Sequence, residues 1–428
     1  MEPVTRKQLA GFYENELTNN ILWFWLPRCI DREYGGYFNC FTNDGSKLVS
    51  KDKYTWSQGR FVWTFSRLAT IDAPVFTRAQ RAEFLKMARI GKEFLEKHCL
   101  MGPDDWRCIF LMDQQGRAKE VAPGQPLDMS IYADAFVILG MARYAIAAGD
   151  KNAYIFAKKL LDSCFKRIDS GEFRTLPYPL SDRFRAHGIP MIFCDTTRET
   201  ALAAEIFDPD ALPELKKRLE DFTVDILTNF TDENNLIHEV IGSDNRQIPQ
   251  ILGQHINPGH SLEDVWFILN SACYLEKPQW AQKARAIARE TLKIGWDEKF
   301  GGLLHFCGMS GGKPEGDETG VGDEPMLIQM KDGWSDKLWW VHSEALYTTL
   351  RCYLETGDEY FWHWHQKIFA YTFTYFPNPD REVREWVQIL KRDGTPQDKV
   401  VALPVKDPYH IIRNLLLILE LLHAPKEL

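Results

Sequence analysis

Twelve stretches of this chain carry the apolar period of an amphipathic helix, and the connections between them alternate between short and long. The stretches fall near 4–27, 56–72, 79–98, 128–149, 151–168, 190–206, 211–229, 260–275, 277–295, 336–355, 358–376 and 408–424. Connections after the even-numbered stretches are short. Those after the odd-numbered ones run to about 20 to 40 residues, beyond the usual loop length. Asp150 and Asp358 each follow a glycine, as an N-cap placed directly after a helix C-terminus should. The long connections carry structure of their own. Asp31 to Gly36 in the first matches Asp297 to Gly302 in the fifth, and Asn43-Asp44-Gly45 and Arg392-Asp393-Gly394 mark tight hairpin turns. Helix, short turn, helix and hairpin-bearing loop, repeated around the chain, call for a ring that closes on itself rather than a capped solenoid. The expected fold is all-α: an (α/α)6 barrel of twelve helices with small β-hairpins in the long loops at one end, a single domain over residues 1–428. Even helices lie inside and odd ones outside, or the reverse. Antiparallel neighbours put every long loop, and the start of every even helix, at one end, where function should cluster.

Composition narrows the partners. Lys+Arg number 51 against 60 Asp+Glu, a formal charge of −9, with no basic run. Neither nucleic acid nor an anionic membrane is an expected partner. The longest apolar run considered, Leu415 to Leu422, is interrupted by Glu420, so no membrane span is expected. Nine Cys without a CxxC pair read as packing thiols in a reducing compartment, and the charged N-terminal segment does not read as a signal peptide, so the cytoplasm is the expected location. Fourteen Trp, 15 Tyr and 26 Phe suit a large core or a carbohydrate site. His255, His260, His363 and His365 lack the spacing that sets two metal ligands on one helical face, so no metal is expected. No phosphate-binding loop is present either, and Gly308 to Gly322 reads as a flexible, exposed loop tip with the character of a lid.

The chemistry-bearing residues obey the same parity. Arg60 lies in the segment that opens helix two, beside Trp56 and Trp63, and His187 precedes helix six. His260 and Glu263 open helix eight. Trp339, Trp340, His342 and Glu344 lie in the first turns of helix ten, and His410 opens helix twelve. His260 and Glu263, at i and i+3, share a helix face, so the carboxylate could fix the imidazole tautomer and raise its pKa. Each residue also has a plainer reading: Glu263 as a first-turn acid on the helix dipole, His410 as a buried bonded ring, Arg60 as an ion-pair partner. Glycoside hydrolysis needs two carboxylates across a cleft, whereas proton abstraction beside a sugar carbonyl needs bases near neutral pKa. The even-helix starts offer His more consistently than carboxylate pairs, which favours the second chemistry.

The segments GGYFNCFTNDG, KYTWSQGRFVWTFSRL, NPGHSLEDVWFIL, GWDEKFGGLLHF and KLWWVHSEAL, in this order, resemble the N-acylglucosamine 2-epimerase family over about residues 10 to 424. The resemblance implies the (α/α)6 barrel and a sugar 2-epimerase that uses no cofactor. Ring opening exposes a carbonyl, one base removes the C2 proton to give an enediolate, and a second group reprotonates the opposite face. The family's two catalytic His fall on His260 and His410, and its carbonyl-binding arginine on Arg60. Glu263, His187, His342, Glu344, Trp339 and Trp386 are the further expected substrate contacts. The resemblance also leaves a homodimer open. The family's usual GxxWKGCFHVPR is LPVKDPYHIIRN here, with Lys406, His410 and Arg413 retained and the small residues between them lost. The sugar is therefore either an N-acyl hexosamine or an unmodified hexose such as glucose or mannose. The alternatives are an aldose–ketose isomerase, a binding or regulatory protein on the same scaffold and, with least support, a glycosidase.

Overall fold

A computed structural model describes residues 5–425 and contains all twelve expected helices. The first, α1, is continuous through Arg6–Asn15, a π-helical segment Glu16–Ile21 and Leu22–Trp25; its expected start at residue 4 lies outside the described residues. The others are α2 Thr55–Thr70, α3 Arg78–His98, α4 Ile131–Ala148, α5 Lys151–Ser170 and α6 Gly188–Phe207. They continue with α7 Leu212–Asp225 (extended by Ile226–Phe230), α8 Pro258–Tyr274, α9 Pro278–Gly295, α10 Trp339–Thr356, α11 Glu359–Tyr375 and α12 Tyr409–His423. Asp150 caps α5 by accepting from Asn152 N at 3.0 Å, and Asp358 caps α11 by accepting from Tyr360 N at 3.0 Å. The preceding Gly149 and Gly357 are left-handed, as the sequence pattern requires.

The even helices form the inner ring. In α4 every residue from Ile131 to Ala142 is buried, whereas α9 buries a single stripe through Trp280, Ala284, Ile287, Ala288 and Leu292. This placement explains a departure from expectation. By length and composition Ile131–Ala148 is apolar enough to cross a membrane, because a helix inside a ring is apolar all round. Each inner helix packs on the next, and α12 returns to α2. The α2–α4 crossing is nearly backbone on backbone: a Cβ on Gly59 would lie 2.3 Å from Phe136 O, and one on Gly140 2.5 Å from Gly59 O. Arg6 Nε donates to Leu422 O at 2.8 Å, tying the outer helix at one end of the chain to α12 at the other.

The long loops gather at one end and are stitched in sequence. Four antiparallel pairs, Lys53–Tyr54 with Leu111–Met112, Phe184–Ala186 with Val240–Gly242, His255–Ile256 with Cys307–Gly308 and Lys337–Leu338 with Ile389–Leu390, each join one loop to the next. A bridge between Ser130 and Thr175 joins two more, and Lys406 N donating to Asn39 O at 2.8 Å joins the last loop to the first. The expected hairpins shrink to single bridges, Phe41 with Leu48 and Leu390 with Pro396, because the loop backbone pairs mainly with its neighbours. The Gly308–Gly322 segment is exposed through most of Gly312 to Gly320, as expected, but it is fastened rather than free. Asp317 O accepts from Ile251 N at 2.8 Å, and Val321 is buried with Met326 and Leu327 of a short loop helix, Pro325–Gly333.

Candidate active site

Among the described residues the inner-helix starts and the loops above them line a cavity that holds His260 and His410. Asn257 caps α8, its Oδ1 accepting from His260 N at 3.2 Å, so the cap fixes the backbone that carries the ring. The neighbouring Gly259 permits the close approach of α10, since a Cβ there would meet the Trp340 ring at 2.4 Å. Trp340 consequently lies beside both imidazoles, with ring centroids 5.2 Å from His260 and 5.6 Å from His410.

Each histidine is held by a carboxylate through the same nitrogen. His260 Nδ1 lies 2.7 Å from Glu239 Oε1, and His410 Nδ1 lies 2.7 Å from Glu344 Oε1. An ionised carboxylate only accepts, so both Nδ1 atoms carry hydrogen and each Nε2 is left to exchange protons. Among the described residues neither Nε2 has a protein partner. Burial is the largest single influence and disfavours the His260 cation, but the charge and hydrogen bond of Glu239, with the charges of Glu263 and Asp264, together outweigh it and raise the pKa. Burial likewise disfavours ionised Glu239, and the charge and hydrogen bond of His260, helped by His187 and His255, hold the carboxyl down at about 2. Glu344 is also held at about 2, with Arg413 the main opponent of its burial. Arg413 Nη2 donates to Glu344 Oε1 at 2.6 Å and also to Glu263; Trp266 Nε1 and Asn414 Nδ2 complete the set at 2.8 and 2.7 Å.

Of the residues singled out from the sequence, His260, His410, Arg60, Glu263 and Trp339 line the cavity. Glu344 is wholly buried behind His410. Three others do not reach the cavity. His187 is fully enclosed, its Nε2 2.8 Å from Asp264 Oδ2. Trp386 is buried with its indole donating to Glu16 Oε1 at 2.6 Å. His342 accepts from Leu303 N at 3.0 Å and lies 2.8 Å from Leu338 O through its other nitrogen; burial pushes its pKa down to about 3. Its role is explained by the internal repeat. In the first loop Lys53 binds Asp31 at 2.8 Å and Gln58 Oε1 accepts from Tyr37 N at 2.7 Å; in the fifth, Lys337 binds Asp297 at 3.2 Å and His342 takes the place of Gln58. His342 is a turn clamp.

The orienting carboxylate of His260 also differs from expectation: Glu239, from the loop after α7, takes the place assigned to Glu263, which turns to Arg413 instead. The sequence signal available for Glu239 was its position in a long loop at the functional end. Further lining residues not singled out include Asp407, Tyr132, Tyr178 and His305. Burial keeps His305 neutral, its pKa pushed down to about 3.

Among the described residues two groups of donors have the spacing to hold a metal ion, His187 with Glu239 and His260, and Glu263 with Glu344 and His410. In the second group Arg413 already sits on both carboxylates as their counter-ion.

Fold and cavity together define a closed (α/α)6 barrel with two carboxylate-held histidines facing one pocket at the long-loop end. The family model described as N-acylglucosamine 2-epimerase (GlcNAc 2-epimerase) matches residues 36–414, and the chain belongs to that family. It is 28% identical over 417 residues to the N-acylglucosamine 2-epimerase of Mus musculus, covering 96% of this chain and 91% of that protein. It is 24% identical over 416 residues to a cellobiose 2-epimerase of Ruminococcus albus, covering 92% and 94%. Among solved structures, a cellobiose 2-epimerase from Bacillus thermoamylovorans superposes with a TM-score of 0.75 at 18% identity, covering 97% of this chain and 99% of that one. A D-mannose isomerase superposes with a TM-score of 0.72 at 20% identity, covering 98% and 99%. These two share the fold.

Proposed function

We propose that this protein is a sugar 2-epimerase that inverts C2 of a reducing sugar through an enediolate, with His260 and His410 as the acid and base. The observation that carries this reading is the pair of imidazoles in one cavity, each with Nδ1 tied to its own carboxylate and Nε2 unpartnered. With the ring opened and C2 between the two histidines, the neutral one takes the C2 proton onto Nε2. The protonated one delivers its Nε2 proton to the opposite face. Solvent exchange then restores the starting protonation states. Two groups on opposite sides suit inversion, since one base tends to return a proton to the face it came from. Acid–base chemistry of this kind contributes about 10² to 10⁴ in rate. Arg60 lines the cavity at the start of α2, and in this reading its guanidinium donates to the enediolate oxygen, where charge develops. The substrate pair is N-acyl-D-glucosamine with N-acyl-D-mannosamine, or D-glucose with D-mannose.

Incubation with mannose, glucose and N-acetylglucosamine in D₂O, followed by NMR of the products, tests the reading. It predicts an aldose epimer labelled at C2. A dominant ketose would make the protein an aldose–ketose isomerase instead, and absence of turnover for every sugar would support a binding protein.

A further inference from the structure

Arg60 is held by more than its own helix. Its guanidinium carbon lies 4.0 Å from the Phe136 ring centroid, 4.7 Å from that of Tyr409 and 5.0 Å from that of Trp56. Nη1 donates to Asp407 Oδ2 in an ion pair whose side chains are each only 10% exposed. Asp407 is itself fixed at several atoms. Its Oδ1 accepts from Tyr409 N at 2.9 Å and its backbone N donates to Gln388 Oε1 at 2.9 Å. Its carbonyl accepts from Trp339 Nε1 at 3.1 Å and Gln388 Nε2 at 2.9 Å. Turning the chain into α12 uses only the bond that Oδ1 accepts from Tyr409 N. The placement of Oδ2 on Arg60 is additional.

The charges around the cavity give that placement a consequence. Among the described residues Arg60 is the one Arg or Lys lining the cavity, while Glu239, Glu263 and Asp407 all line it. Arg413, behind the wall, divides its single charge between Glu263 and Glu344. An entering anion therefore meets no cation without a carboxylate beside it: Arg60 has Asp407, and either histidine, when protonated, has Glu239 or Glu344. A guanidinium with a carboxylate on one edge presents a dipole, and the repulsion from Asp407 is little screened in an enclosed pocket. The carbonyl and hydroxyl groups of an uncharged sugar face no such barrier. They can accept from Arg60 Nη2, which has no protein partner among the described residues. The enediolate formed from such a sugar gains its charge only as a histidine takes up the C2 proton, which leaves the net charge of the pocket unchanged.

Building on the sugar-epimerase reading above, we propose that Asp407 is the positioning residue of Arg60 and restricts the cavity to uncharged sugars, refusing aldonates and other anionic sugars. Calorimetry on the whole protein tests this with D-mannitol against D-mannonate, and with the 2-acetamido counterpart of each. These probes differ in charge but not in chain length. Wild type should bind the alditol at least about tenfold more tightly than the aldonate. Asp407→Asn keeps an acceptor for Tyr409 N and should shrink that ratio by at least about tenfold. Asp407→Ser keeps one too and serves if the first variant melts early. The proposal is overturned if wild type binds the aldonate as tightly as the alditol, or binds neither. A merely structural role would weaken both ligands together and leave the ratio in place, which overturns it equally. Loss of C2 exchange on every sugar, with the predicted change in ratio intact, would sink the epimerase reading and leave the role of Asp407 standing.

Discussion

His260 and His410 face one cavity, yet the carboxylates that hold them sit in different company. The Glu239 carboxylate has one side-chain hydrogen-bond partner among the described residues, His260 at 2.7 Å, with the His187 and His255 imidazoles further off. Glu344 is locked by four donors, His410, Arg413, Trp266 and Asn414, and shares Arg413 with Glu263. One side can gain or lose its positive charge with a proton. The other contains a permanent guanidinium. The difference separates two tasks: the Glu239 side adjusts a histidine's proton affinity, and the Arg413 side holds a rigid, charge-balanced wall.

The largest expected effects fall on both sides alike. His260→Asn and His410→Asn should each lower turnover by about 10² to 10⁴ while leaving circular dichroism and melting intact. Near wild-type turnover in either variant would remove that residue from the chemistry. Next comes a difference in stability. Arg413→Met strands two buried carboxylates and should cost about 3 to 5 kcal/mol in urea melts. Glu239→Gln should cost distinctly less, because His260 can shed its proton. Equal losses would mean the two sides are not organised differently.

A pH series sharpens the contrast. Because Glu239 raises the His260 pKa, Glu239→Gln should move the limb of the kcat/KM profile set by His260 to lower pH. The sign in stability is set by the same pair. Glu239, lowered from 4.5 to about 2, contributes stability above pH 4.5 that is lost as pH falls toward 2. His260, raised from 6.5, contributes stability below pH 6.5 that is lost as pH climbs through its folded value. Stability of the wild type minus that of Glu239→Gln should therefore be greatest between those limits. The smallest effect should come from Trp340→Phe. That ring contacts both histidines, and the change should slow turnover by about three- to tenfold without moving the pH profile.

The sequence made the ring legible because its signals are local. Apolar period and the caps at Asp150 and Asp358 lie within one or two turns, and loop parity then put the helix starts at one end. The site was legible wherever a residue stands at such a start, as His260, His410 and Arg60 do. Glu239 lies 21 residues before His260, in a loop whose course is set by pairing with another loop, and no period marks it. Glu263 has the right helical spacing but is drawn to Arg413, 150 residues away. His342 shares a helix start with Glu344, yet its ring serves the turn around Gly301 and Gly302. Only the Lys53/Lys337 and Gln58/His342 correspondence reveals that. Trp386 and His187 pack behind the wall for the same reason: proximity in sequence to the functional end does not decide which way a side chain faces.

The most direct test of two-sided chemistry is C2 hydrogen exchange in D₂O, followed by NMR from each epimer separately in His260→Asn and His410→Asn. Each variant keeps one base, so one should wash out the C2 proton of one epimer and the other variant that of the other epimer, with no inversion in either case. Exchange of both epimers by the same single-histidine variant, with inversion preserved, would contradict the account.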